Sequence, residues 1–151
     1  MATGNSNKTA AGVQARALHA GDNSVSAIFT IDAAHCPNGT GLSAGDVIQM
    51  VKIPSGATIL DLKLFGGGGG GAYTCSVGDG NSAARYLSAT TFASAGQVYS
   101  IYQNVPQIVT ATANGAYVYT ADDTIDITVV SVLTATLAGI FTLNVTYSMD
   151  T

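Results

Sequence analysis

Between Asp126 and Asp150 the chain runs for 23 residues without a charged side chain, ITVVSVLTATLAGIFTLNVTYSM. A run of that length either crosses a bilayer as a helix or lines the inside of a β-fold. Its make-up decides between the two. Thr, Val and Ile crowd it, and β-branched side chains lose rotamer freedom in a helix. Its last third alternates, with Phe141, Leu143, Val145, Tyr147 and Met149 set against Thr142, Asn144, Thr146 and Ser148. A half-buried strand has this period of two, and a membrane helix has no use for it. The stretch reads as two strands with a turn around Ala135–Gly139, and no membrane partner is expected.

The same period recurs upstream. Val25, Ala27, Phe29 and Ile31 share one face of a strand. Residues 47–53 are apolar and end at Pro54-Ser55-Gly56, a natural turn. From Ala57, Leu60, Leu62 and Leu64 face one side, with Asp61 and Lys63 on the other. Tyr73, Cys75 and Val77 lead back after a run of six glycines. Further strands are expected at Val13–Ala20, Val98–Tyr102, Gln107–Thr112 and Ala116–Thr120, the last two joined by Asn114-Gly115, a strong hairpin signal. Ile125, Ile127 and Val129 point inward, with Asp126 and Thr128 outward. About nine or ten short strands, with turns every 8–12 residues and no helix, specify an antiparallel β-sandwich of jelly-roll or other Greek-key type. The expected organisation is a flexible arm, 1–11, then a single β-sandwich domain, 12–151, with a Gly-rich loop at 66–71.

Only 9% of residues are charged, against about 25% in ordinary soluble domains. Ser, Thr, Asn and Gly fill the polar positions instead. A surface of that kind is covered by a neighbour at small desolvation cost. Net charge is −4, and the five cations, Lys8, Arg16, Lys52, Lys63 and Arg85, form no cluster. Binding to a phosphate backbone needs clustered cations, so no nucleic-acid partner is expected. The opening residues MATGNSNKTAAGVQA lack the apolar core of a signal peptide. The expectation is synthesis in a reducing cytosol with Cys36 and Cys75 free, although the sequence leaves a bridge between them open.

Chemistry is sparse. His19, His35, Cys36 and Cys75 are zinc-ligand types, but without paired-ligand spacing they set out no metal site. No nucleophile, base and acid fall into a recognised pattern around the two histidines. Glutamate is absent, and most of the nine aspartates read as turn or outward-facing strand positions. The glycine run opens a strand and lacks the Lys-Ser/Thr of a phosphate loop. Asp79 is expected to bond nearby backbone in a turn, with Arg85 bracing it as a surface pair. Tyr99, Tyr102, Tyr117 and Tyr119 are expected to pack in the core or at a subunit contact. No catalytic, cofactor-binding or metal-ligating residue is assigned, and no cofactor.

Two segments carry a family resemblance. Val47-Ile48-Gln49-Met50-Val51-Lys52-Ile53-Pro54-Ser55-Gly56-Ala57, and Ser76-Val77-Gly78-Asp79-Gly80 followed by Arg85-Tyr86-Leu87, resemble small structural proteins of tailed bacteriophages, above all the jelly-roll decoration (cement) proteins of short-tailed phage heads. The resemblance covers about 45–120 and the closing strands in outline, and its motifs specify scaffold. It implies a non-enzymatic protein of the capsid exterior, made in the host cytoplasm. Its partners would be the major capsid protein and further copies of itself. The apolar pair 124–133 and 138–149 suggests a self-contact surface, and a trimer rather than a dimer. The alternative is a fibre or receptor-binding module that recognises host polysaccharide through its tyrosines.

Overall fold

The computed structural model describes residues 3–5, 22–36, 38–67, 72–92, 97–100, 117–134 and 137–149. These form nine strands: β1 (Thr3–Asn5), β2 (Asp22–Thr30), β3 (Val47–Ile53), β4 (Ala57–Gly67), β5 (Ala72–Asp79), β6 (Ser82–Phe92), β7 (Gln97–Ser100), β8 (Asp123–Thr134) and β9 (Ile140–Met149). No helix among the described residues is long and apolar enough to cross a membrane. The charge-free run is β8 and β9, divided where the turn was expected.

The strands form two sheets, β1-β3-β8-β5-β6 and β2-β9-β4-β7. Four antiparallel pairs nest inside one another: β5 with β6, β4 with β7, β3 with β8, and β2 with β9. The chain is thus one long hairpin, with its tip at Gly80-Asn81, rolled so that β9 also meets β4 and β8 also meets β5. That is the strand order of a jelly roll. β1 adds to one edge, parallel to β3.

The core lies between the sheets. β8 and β9 are interior strands of opposite sheets. Ile125, Ile127 and Val129 of β8, and Phe141, Leu143, Val145 and Tyr147 of β9, are all fully buried. The inward faces of the apolar closing pair are therefore the centre of the core, while Val130, Leu133 and Ile140 of the same two strands are exposed. Gly66 makes room for the aromatic part of this core. A Cβ there would stand 2.6 Å from Phe92 and 2.9 Å from Phe141. Those two rings meet edge-on at 6.0 Å, and Tyr99 closes on Phe92 at 4.8 Å.

Bulges account for the departures from strict alternation. The register of β3 slips between Gln49 and Val51, so Met50 and Val51 are both buried. That of β4 slips between Ile59 and Asp61. Ile59 therefore turns inward ahead of Leu62 and Leu64, and Leu60 does not join their face as expected. Gly66 and Gly67 belong to β4 rather than to a loop. The turn expected around Asp79 is confined to Gly80-Asn81, with β6 starting at Ser82. Three residues of the expected arm, Thr3–Asn5, are β1. The strands expected at 13–20 and 107–112, and the Asn114-Gly115 hairpin, lie outside the described residues.

Candidate functional site

The connections gather at two ends. Those between β2 and β3, β4 and β5, β6 and β7, and β8 and β9 share one end. Those between β3 and β4, β5 and β6, and β7 and β8 share the other. The second end holds a buried polar cluster built on the hairpin tip. Asp79 Oδ1 accepts the backbone N–H groups of Asn81 (3.0 Å) and Ser82 (2.8 Å), the turn expected of it. Its Oδ2 accepts from Arg85 Nε and from the Tyr119 hydroxyl at 3.2 Å. The Tyr86 and Tyr119 hydroxyls are 2.8 Å apart, and the Arg85 guanidinium stacks 3.7 Å above the Tyr117 ring. The Asp79 side chain is wholly buried and that of Arg85 is 11% exposed, so this is a buried pair and not the surface brace expected. Burial pulls the Arg85 guanidinium down, but the hydrogen bond and charge of Asp79 outweigh it and hold it above its ordinary range. Burial keeps both tyrosine hydroxyls protonated.

Backbone packing makes the tip possible. A Cβ on Gly78 would fall 1.9 Å from the Ser82 carbonyl oxygen. The Tyr119 N–H donates to the Ala57 carbonyl at 2.9 Å and the Tyr119 carbonyl accepts from Gly56 N–H at 2.6 Å, while Asp122 Oδ1 accepts from Ser55 N–H at 2.9 Å. The cluster thus ties three segments together: the tip, the β3–β4 turn and the stretch leading into β8. Asp126 stands beside it, paired in register with Gln49 and Gly78. It was expected to face outward, yet it is 6% exposed and its Oδ1 has no hydrogen-bond partner. Burial pushes its carboxyl up to about 6; a hydrogen bond from Thr124 opposes this, and the charges of Asp123 and Asp79 add to it.

Other candidate groups are braces as well. Asp32 Oδ1 accepts from the N–H groups of Ala34 and His35 and sits 2.7 Å from His35 Nδ1, within the β2–β3 connection. From the sequence no G-x-S-x-G was expected, and that was wrong: Gly41-Leu42-Ser43-Ala44-Gly45 has the nucleophile-elbow spacing. Ser43 sits in a turn into strand β3, its N–H donating to Asp46 Oδ2 at 2.8 Å, where an elbow would open a helix. No hydrogen bond joins Ser43 to His35 among the described residues. Cys36 and Cys75 are buried free thiols, not bonded to each other, and burial raises both, Cys75 to about 12. Among the described residues no three His, Cys, Asp or Glu side chains are grouped to hold a metal ion. Tyr73, Tyr86, Tyr119 and Tyr147 are buried and Tyr99 and Tyr117 pack against the core, so none of these is an open sugar platform. His19 and Tyr102 lie outside the described residues.

The opposite end is apolar on its outside. Cross-strand register aligns Ile28 of β2, Thr142 of β9, Phe65 of β4 and Val98 of β7 in one row. Ala27, Phe29, Leu64, Phe141 and Leu143 beside them are buried and Tyr99 packs against the core, so the row faces out from the β2-β9-β4-β7 sheet. Ile28 is 45% exposed, Val98 42%, and Ile140, diagonal to Ile28, 48%. Leu137, in the β8–β9 connection, is also exposed. The next row is polar and uncharged but for Lys63: Ser26, Asn144, Lys63 and Ser100.

No family model matches the chain, and no curated protein sequence does. Solved structures do. A chain in the capsid of Ralstonia phage GP4 superposes with a TM-score of 0.70 over 99% of both chains, at 17% identity. The fold is shared with chains of phage capsids. A chain of the cyanophage Pam1 capsid asymmetric unit matches with a TM-score of 0.57 at 24% identity, covering 86% of this chain and 84% of that one. One in the acidic stable capsid structure of Helicobacter pylori bacteriophage KHP30 matches with a TM-score of 0.56 at 16% identity, over 89% and 92%. At these identities the likeness is one of fold, and no residue role is carried across.

Proposed function

We propose that this chain is a non-enzymatic structural protein of a tailed-phage virion. In this reading it binds the outside of the head as a homo-oligomer and holds neighbouring major capsid protein subunits together. The observation that carries the proposal is the match over 99% of this chain and of a chain in a phage capsid. Supporting it are a charge-poor surface and polar clusters that brace loops. The scaffold motifs Ile53–Ala57 and Val77–Gly80 with Arg85–Leu87 form the clasped end of the sandwich, which is a structural use for them.

The mechanism is linkage. A protein that binds the assembled lattice and not the free shell subunit stabilises the lattice by mass action. A symmetric oligomer multiplies weak contacts through effective concentration. We assign shell contact to the remainder of the arm 1–11 and of the glycine run, Thr3–Asn5 being paired as β1 and Gly66 and Gly67 being part of β4. That remainder lies outside the described residues.

The test is co-sedimentation with phage heads that lack the protein. Saturable binding at a fixed ratio to shell subunits, with heads that then resist heat, is the expected result. Deleting residues 2–11 should weaken that binding, while the domain, which loses only the three-residue edge strand β1, still melts in one cooperative transition. Absence of binding to heads, with recovery at the tail or on host polysaccharide, would overturn the proposal in favour of a receptor-binding module.

A further inference from the structure

We infer that the open edge of β2 takes up an extended segment of the shell subunit as an added strand, held by backbone hydrogen bonds. The inference rests on the shell-binding reading and names a contact that binding would use. Edge strands present unpaired N–H and C=O groups, and proteins guard them by keeping them short, bulged or charged. Among the described residues the sheets have four edge strands, β1, β6, β2 and β7. β1 has three residues and β7 four, and the register of β6 on β5 breaks twice. β2 has no such guard. It runs nine residues in unbroken register with β9, and from Asn23 to Thr30 it holds no charge, proline or glycine.

Register identifies which groups are open. The Ile31 N–H donates to the Gly139 carbonyl at 2.9 Å, one step beyond the Thr30–Ile140 pair. In an antiparallel ladder the bonded pairs alternate. Phe29, Ala27 and Val25 therefore bond to β9, and Thr30, Ile28, Ser26 and Ser24 turn their N–H and C=O groups the other way. No described strand pairs with β2 on that side. These four residues set out a row of donors and acceptors over about 20 Å, in the repeat of a strand. That repeat selects an extended polypeptide, the mode of recognition in which main-chain bonds give the affinity. Ser24, Ser26 and Ile28 beside the edge are exposed and uncharged, so the added strand is uncharged across its middle.

Charge decides between the shell and a second copy. β2 opens at Asp22, and the chain leaves it at Asp32, whose side chain is 39% exposed. A copy added antiparallel over the same residues sets the Asp22 end of each strand against the Asp32 end of the other. A copy added parallel sets Asp22 beside Asp22. Like charges opposite each other destabilise a strand pair. The partner that fits is a shell segment with Lys or Arg where it passes these ends.

The experiment is hydrogen exchange of the protein, free and on heads that lack it, read at single residues by mass spectrometry. In the free protein Val25, Ala27 and Phe29 should exchange slowly, and Ser24, Ser26, Ile28 and Thr30 fast. On heads those four should slow by roughly tenfold or more. Co-sedimentation is the second readout. Ser26→Pro removes an N–H that the sheet does not use, a place where an edge strand tolerates proline, and should weaken head binding by about tenfold or more. Ser26→Ala should bind like the wild type. Thermal melts that match the wild type establish that both variants are folded. A wild type that binds heads while the four amides stay fast, or while Ser26→Pro binds undiminished, overturns this inference and leaves the shell-binding proposal standing. Loss of binding with Ser26→Ala assigns the contact to the side chain and overturns it too. A wild type that fails to bind heads overturns both proposals. Slow exchange of the four amides in the free protein overturns this one in favour of the chain's own residues, or of a second copy where the slowing sets in with concentration.

Discussion

Asp79 and Arg85 carry opposite charges into an interior that would reject either alone. The carboxylate is saturated by two backbone N–H groups, a guanidinium and a tyrosine hydroxyl, and the guanidinium is stacked on Tyr117. Removing one partner strands the other, so we expect Arg85→Ala to cost about 3–5 kcal/mol in urea unfolding. Arg85→Lys should recover part of that, since an ammonium keeps the charge but loses the fork and the stack. Asp126 is the opposite case, a buried carboxyl with an oxygen left unpaired. Its proton is held in the folded chain up to about pH 6, while an unfolded aspartate releases it near pH 3.9. The folded state therefore binds the proton more tightly. The contribution of Asp126 to stability rises as pH falls from above 6 toward 4 and is lost as pH rises through 6. Asp126→Asn should abolish that slope and stabilise the protein at pH 8 by on the order of 1–3 kcal/mol. A wild-type minus variant difference that stays flat from pH 4 to 8 would contradict this.

At the scale of the strand, two glycines of similar appearance in the sequence do different work. Gly78 lies in β5 against the backbone of Ser82 and Ala83, neither of which can retreat without opening the tip. Gly45 has open space around its missing side chain but a φ of +90°. Gly78→Ala should destabilise by about 3 kcal/mol or more, the upper range for overpacking, and Gly45→Ala by about 1 kcal/mol from backbone strain alone. Chemical denaturation of the two variants checks the order, and equal costs would refute it. Strand periods were legible because side chains alternate whatever the neighbours are: Phe141 to Tyr147 and Val25 to Ile31 needed only the pattern. Bulges were not, since a slipped register at Leu60 or Met50 depends on the partner strand. Asp126 escaped for the same reason. Its parity on β8 is outward, and it is buried between register partners, Gln49 and Gly78, that only the strand pairing supplies.

Across the whole molecule, the nested pairing separates polar from apolar exposure. The end with the hairpin tip carries Asp79, Asp122, Asp123 and Asp126, and the other end carries the row from Ile28 to Val98, with Asp32 and Asp46 bonded within the β2–β3 connection. No local pattern announces that row, because successive members along the chain are 33 to 44 residues apart and meet only through register. Ile28 did leave one signal. With Val25, Ala27, Phe29 and Ile31 facing inward, it is the large apolar residue on the solvent side of β2. The fold class followed from the period and the turn spacing, whereas the surface required the topology.

That same nesting has a kinetic side. β5 and β6 meet across two residues, Gly80 and Asn81, while β2 and β9 bring together residues more than a hundred positions apart. Loop closure makes the near pair cheap to form and the far pair dependent on the pairs inside it. The chain should close like a zipper from the clasped tip outward. Changes at the tip would then slow folding, and changes at the last pair would mainly speed unfolding. In a chevron analysis Gly78→Ala should act on the folding limb and Ala27→Gly on the unfolding limb. The reverse assignment would place the first contacts at the chain ends instead.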